Sequence, residues 1–140
     1  MRTLLLMLML FAARFAIAAP LPDGLVGIWS TAGSEFRGDA LFKGNAIYLD
    51  SDGVGAYVGG TDASVLGMRI VVTSFDPETH ILDFYITDQG QVGPRSTLVY
   101  DPTARVLISE REGYKFELRK AGPLAAQMRK VLGLEQKQAP

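Results

Sequence analysis

The chain is predicted to be all-β: an eight-stranded up-and-down antiparallel barrel with a short C-terminal helix. Three observations lead there. From Leu25 to Leu118 the apolar and β-branched residues fall in short runs bounded by Gly, Asp and Pro, with no sustained helical period. The connections carry hairpin chemistry, and one turn device occurs twice, as Phe75-Asp76-Pro77-Glu78-Thr79-His80 and Tyr100-Asp101-Pro102-Thr103-Ala104-Arg105. Helical spacing emerges only after Pro123, where Leu124, Met128, Val131 and Leu132 recur at i, i+4, i+7 and i+8.

The first residues read as an address. Met1-Arg2-Thr3 supplies a positive start, Leu4 to Ala13 is an apolar run, and Ala16-Ile17-Ala18 fits a small-x-small cleavage site. Arg14 interrupts the apolar run, leaving it too short to span a bilayer. The expected organisation is a signal peptide over 1–18, a barrel domain over 19–122, an amphipathic helical segment over 123–134 and a polar tail over 135–140. No cysteine follows the cut, so no lipid anchor is expected, and removal of Arg2 and Arg14 leaves a mildly acidic chain. After processing, no integral membrane span is expected.

The strands are expected at Leu25–Ser30, Asn45–Asp50, Val54–Gly59, Met68–Phe75, Ile81–Thr87, Arg95–Tyr100, Val106–Glu110 and Tyr114–Arg119. A turn-rich lead-in, Ala19 to Gly24, precedes them. Asp50-Ser51-Asp52-Gly53 is an Asp-Gly turn in which Gly is free to take positive φ. Closing such a meander into a barrel removes the sheet edges that invite aggregation. The last helix runs from Pro123, suited to a first helical turn, to Leu132, with Gly133 as its stop. Arg129 and Lys130 lie where the helix dipole favours cations. Its stripe is expected to pack on the barrel wall.

Composition closes several doors. With no cysteine and one histidine among 140 residues, a disulfide scaffold, a Cys-based zinc site, a Cys nucleophile and a His-rich metal cluster are excluded. A formal net charge of −1 gives no footprint for nucleic acid. An exported barrel with no disulfide suits a bacterial periplasm or exterior. No cofactor is implied.

In a meander, successive connections alternate between the two ends. The three Asp-containing turns therefore share one end. Thr31–Gly44, Gly60–Gly67, Asp88–Pro94 and Arg111–Gly113 share the other, and the first three of these read as long, Gly-rich loops. Long loops on a rigid scaffold are where binding usually sits. The candidate binding residues are Glu35, Phe36, Arg37, Asp39, Asp62, Leu66, Gln91, Arg95 and Glu112. Leu41 and Phe42 share the first loop and are placed so that they can fold back onto the barrel.

No pattern here demands catalysis. An EF-hand starting at Asp50 wants Glu at the position held by Thr61. His80 reads as a surface turn residue at the tight-turn end. Glu110 is placed on the face of Val106 and Ile108, toward the core, paired with Arg95 or Arg69. There is no G-x-S-x-G elbow and no S-x-x-K. The chain is expected not to be an enzyme.

Gly27-Ile28-Trp29 on the first strand resembles the G-x-W signature of lipocalins and related calycin barrels. In that family the Trp packs at the closed end under a basic residue from the end of the last strand. The resemblance implies that role for Trp29 and Arg119, with Lys120 as substitute. Short secreted bacterial barrels of this general look include inhibitors of proteases and lysozymes. The expected function is an exported binding protein of inhibitor or immunity type, holding a protein partner at its loop end. The alternative is a carrier of a small apolar ligand in the barrel interior.

Overall fold

The computed structural model describes residues 18–61, 64–111 and 113–134. The expected leader, the tail over 135–140 and the candidates Asp62 and Glu112 lie outside the described residues.

Nine strands form: β1 (Gly27–Ser30), β2 (Glu35–Arg37), β3 (Ala40–Leu49), β4 (Val54–Gly60), β5 (Val65–Phe75), β6 (Ile81–Asp88), β7 (Gln91–Asp101), β8 (Val106–Arg111) and β9 (Tyr114–Gly122). One short helix, α1 (Ala126–Val131), follows. Neighbours along the chain pair antiparallel, and β1 closes the barrel by pairing with both β9 and β3. Eight strands make the closed wall, as the sequence predicts. The ninth, β2, lies within the first connection and pairs only with the start of β3.

Residues of alternating parity fill the barrel. Trp29, Ile47, Leu49, Ile70, Val72, Leu82, Phe84, Leu98, Leu107 and Leu118 form one buried cluster, with Leu21 and Leu25 from the lead-in. A second cluster lies on the outer face of β1, β3 and β4. There Ile28, Ala46, Tyr48, Ala56 and Val58 are covered by Leu41, Leu124 and Leu134, with Phe36, Met128 and Leu132 packed alongside. These strands are covered on both faces, which is why Gly27–Trp29 and Ala46–Leu49 are continuously buried.

The helix is shorter than the expected Pro123–Leu132. Ala125 is extended, no side chain caps the N-terminus, and α1 begins at Ala126. Met128 and Leu132 meet the wall, but Val131 is exposed, so the four-residue stripe is only partly used. An ion pair supplies the rest: Arg129 Nη2 lies 3.1 Å from Oδ1 of the buried Asp50, which also accepts the Ser51 amide at 2.7 Å.

The tight-turn end is closed. The lead-in crosses it as a strap, with the Ala19 amide donating to the Val72 carbonyl and the Leu21 amide to that of Ser51. Trp29 is fully buried beneath it, donates its indole N–H to the Leu25 carbonyl at 2.9 Å, and meets Tyr100 edge-on. Lys120, not Arg119, lies over the indole, 5.7 Å from the ring centroid, and donates to the Gly24 carbonyl. The β1–β9 pairing places Lys120 opposite Trp29, whereas Arg119 falls opposite Ser30 and reaches Glu117 at the surface.

The repeated turn device is realised twice. The Asp76 carboxylate accepts the Glu78 and Thr79 amides, and that of Asp101 accepts the Thr103 and Ala104 amides. Each turn ends on a residue with positive φ, His80 at 61° and Arg105 at 55°. His80 stacks on Phe75 and meets Tyr100 edge-on, so it serves the turn.

Candidate functional site

The opposite end departs from the expected long loops. Beyond β2, the connections there are short. Gln89 and Gly90, both with positive φ, make a two-residue turn of the type that matches strand twist. β5 and β7 reach farther than predicted, because the Gly and Pro residues read as loop sit within strands. Gly93 and Pro94 mark a register shift between β6 and β7, and a Cβ at Gly93 would lie 2.9 Å from the Ile86 carbonyl. This end is thus built of projecting hairpins.

The β2–β3 hairpin carries four of the sequence candidates. Glu35 is exposed opposite Lys43, and Phe36 packs into the outer cluster. The Arg37 guanidinium lies 4.0 Å from the centroid of the Phe42 ring. Leu41 does fold back, buried on the wall. The Asp39 carbonyl accepts the Tyr48 hydroxyl at 2.7 Å, and burial raises the phenol above its ordinary pKa. Phe36 and Asp39 therefore anchor this hairpin, leaving Glu35 and Arg37 to face solvent.

The β4–β5 and β6–β7 hairpins carry Leu66, Gln91 and Arg95. Leu66 is 62% exposed, and its neighbour Val65 is 54% exposed. Gln91 is exposed opposite Asp88, and Arg95 is exposed on the outer wall opposite Tyr85. Among the described residues, no hydrogen bond or ion pair joins this group to the β2–β3 group. The candidates share one end of the barrel but lie on separate hairpins.

Glu110 is displaced from its expected place. Leu107, not Val106, belongs to the barrel interior, so Glu110 lies on the outer face. It is exposed opposite Lys115. Arg69 donates instead to the Gly133 carbonyl at 3.1 Å, tying β5 to the segment after α1.

Between the two hairpins the outer wall holds an open groove of about 480 Å³. It is lined by Gly67, Met68, Arg69, Tyr85, Asp88 and Gln89, among others. Val92, 68% exposed, is the cross-strand partner of Thr87, another lining residue. Sequence reading missed Arg69 and Tyr85 as site residues, because each lies inside a strand where alternation alone does not tell an outer residue from a site. Among the described residues, no group of three or more His, Cys, Asp or Glu is placed to hold a metal ion.

No protein-family model and no curated protein matches the chain. Among solved structures, the fold is similar to the crystal structure of a lipoprotein YedD from Klebsiella pneumoniae subsp. pneumoniae MGH 78578. The TM-score is 0.55, over 89% of this chain and 95% of that one, at 14% identity. At that identity the likeness is one of fold: a small closed β-barrel with the same extent as this chain.

Proposed function

We propose that this is an exported bacterial β-barrel, periplasmic or secreted, that binds another protein through its hairpin end. The observation that carries the reading is the groove between the β4–β5 and β6–β7 hairpins, with Val65 and Val92 exposed on the same outer face of the strands that line it. Apolar groups exposed beside polar ones on a rigid scaffold are what a protein interface uses. Arg69, Asp88 and Arg95 add both signs of charge, which suits recognition of a structured surface. Export is supported by the leader pattern and by the fold likeness to a bacterial lipoprotein.

The carrier reading, in the lipocalin manner, ranks second. In its favour, Leu66 shares the inward parity of Ile70 and stays exposed at the mouth. Against it, the lower barrel is packed with the Trp29 cluster, leaving an apolar ligand little depth.

Affinity capture from periplasmic extract tests both readings. The wild type is expected to retain a protein that the Val65→Asp/Val92→Asp variant loses at unchanged thermal stability. Equal retention by that variant, or recovery of lipid alone, overturns the proposed interface.

A further inference from the structure

The β8–β9 hairpin leaves the barrel wall before it ends. β7–β8 pairing stops at Val99 opposite Ile108, and β1–β9 pairing stops at Ser30 opposite Arg119. Beyond those points, among the described residues, Ser109–Arg111 pair only with Tyr114–Phe116, and Glu117 and Leu118 pair only with Ile108 and Leu107 of β8. Among the described residues, one edge of β9, residues 114–118, therefore has no strand paired to it.

Open edges are usually blunted. The exposed side of β7 is interrupted by Gly93 and Pro94 at their register shift. The free side of β8 is short. The β9 edge carries neither Pro nor a bulge. Its sequence, Tyr114-Lys115-Phe116-Glu117-Leu118, alternates apolar and charged residues. Leu118 is buried in the barrel interior, whereas Tyr114 and Phe116, which share its face, are 71% and 54% exposed.

We infer that this edge is completed by the same edge of a second copy, running antiparallel about a two-fold axis at Phe116. Residues opposite one another in antiparallel strands share a face and interact directly. In this register Lys115 stands opposite the partner's Glu117, and the symmetry makes that pair twice. On the other face Phe116 meets the partner's Phe116, and Tyr114 meets the partner's Leu118. A slip of two residues one way places Lys115 opposite the partner's Lys115. A slip the other way sets Glu117 against the partner's Glu117 and Lys115 against the partner's Arg119. A slip of one residue inverts the faces. Only the central register brings unlike charges together, so the segment specifies its own complement. The hairpin end is then also the end at which two barrels meet, with a continuous sheet running through the junction.

Sedimentation of the purified exported protein across a dilution series tests this without any other partner. The wild type is expected to pass reversibly from monomer to dimer. Lys115→Glu or Glu117→Lys alone replaces two unlike pairs by two like ones and is expected to weaken association about tenfold. Mixing the two variants restores both unlike pairs, and the mixture is expected to form a heterodimer of wild-type strength. The double variant Lys115→Glu/Glu117→Lys regains the homodimer for the same reason. Lys115 also faces Glu110 within its own hairpin, so circular dichroism of each variant accompanies the measurement, and the mixture separates lost pairing from lost folding. A wild type that stays monomeric at every concentration, or charge reversals that leave association unchanged or fail to rescue one another, overturns the inference.

Discussion

Replacing Gly53 by Ala tests how the barrel is closed. Gly53 ends the β3–β4 turn with φ at +84° and is buried beneath the strap. A Cβ there would collide with the Ala19 carbonyl oxygen and lie 2.9 Å from its carbon. Two penalties follow. A side chain in the left-handed region costs about 1–2 kcal/mol. The strap must also retreat, and the Ala19–Val72 and Leu21–Ser51 hydrogen bonds that seat it each contribute about 1 kcal/mol. The substitution is therefore expected to cost about 3–4 kcal/mol. Gly90→Ala is the control: its φ is +78°, but nothing lies within 4 Å of the added atom, so only the backbone penalty of about 1–2 kcal/mol applies. Urea unfolding followed by the fluorescence of Trp29, buried under the strap, measures both. Equal losses in the two variants would refute the seated strap and place the lead-in free of the barrel.

Four further predictions concern the same end of the molecule. Lys120→Met removes the cation over the indole and the bond to Gly24, and should cost about 0.5–1 kcal/mol in urea unfolding. Arg119→Met, whose ion pair is largely exposed, should stay within about 0.5 kcal/mol of wild type. Asp50→Asn leaves the Arg129 guanidinium without its anion, with Nε already unpartnered, and is expected to cost about 1–3 kcal/mol. Adding Arg129→Met should recover part of that loss in a double-mutant cycle, and strict additivity would count against the pair. Asp76 is held below the usual carboxylate range by the Glu78 and Thr79 amides. A folded pKa below the unfolded value means that its contribution is present above the unfolded pKa, about 4, and is lost as pH falls through the folded pKa. The melting-temperature gap between wild type and Asp76→Asn should accordingly narrow on acidification below about pH 4; a constant gap would show that the turn bonds do not depend on the charge.

The wall of the barrel was legible in the sequence because period-two alternation and turn chemistry are local signals. Asp76-Pro77 and Asp101-Pro102 encode their turns within six residues, and both form as read. The errors arose where one residue type serves two purposes. Glycine and proline at Gly60, Gly67, Gly93 and Pro94 suggest loops, yet all four lie within strands, with Gly93 and Pro94 at a bulge where a Cβ on Gly93 would crowd the Ile86 carbonyl. Choosing Arg119 over Lys120 was a question of register, which a bulge between Ile28 and Trp29 decides and composition does not reveal. The Asp50–Arg129 pair joins residues far apart in the chain, and no local pattern marks either one for the other. Of the candidate site residues, the charged ones on β2 and the apolar Leu66 do reach one end, but the sequence could not show that they sit on separate hairpins.

The two ends divide the work of the fold. At the closed end the strap, Trp29, the Asp turns and the Asp50–Arg129 pair add hydrogen bonds, apolar burial and an ion pair to the same few layers. At the hairpin end the strands run past their neighbours: β1 stops at Ser30, β7–β8 pairing stops at Val99, and apolar residues stay in solvent. A closed barrel of eight strands has no need of that overreach, since its edges are already satisfied. Long hairpins that forgo pairing cost backbone order without a packing return. Their presence beside a well-anchored base is intelligible if the return comes from association, with the groove between β4–β5 and β6–β7 serving one partner and the free edge of β9 serving another copy. The anchoring at one end is then what allows the other end to remain uncovered in the monomer, because the strands that project are held by the portions of themselves that do not.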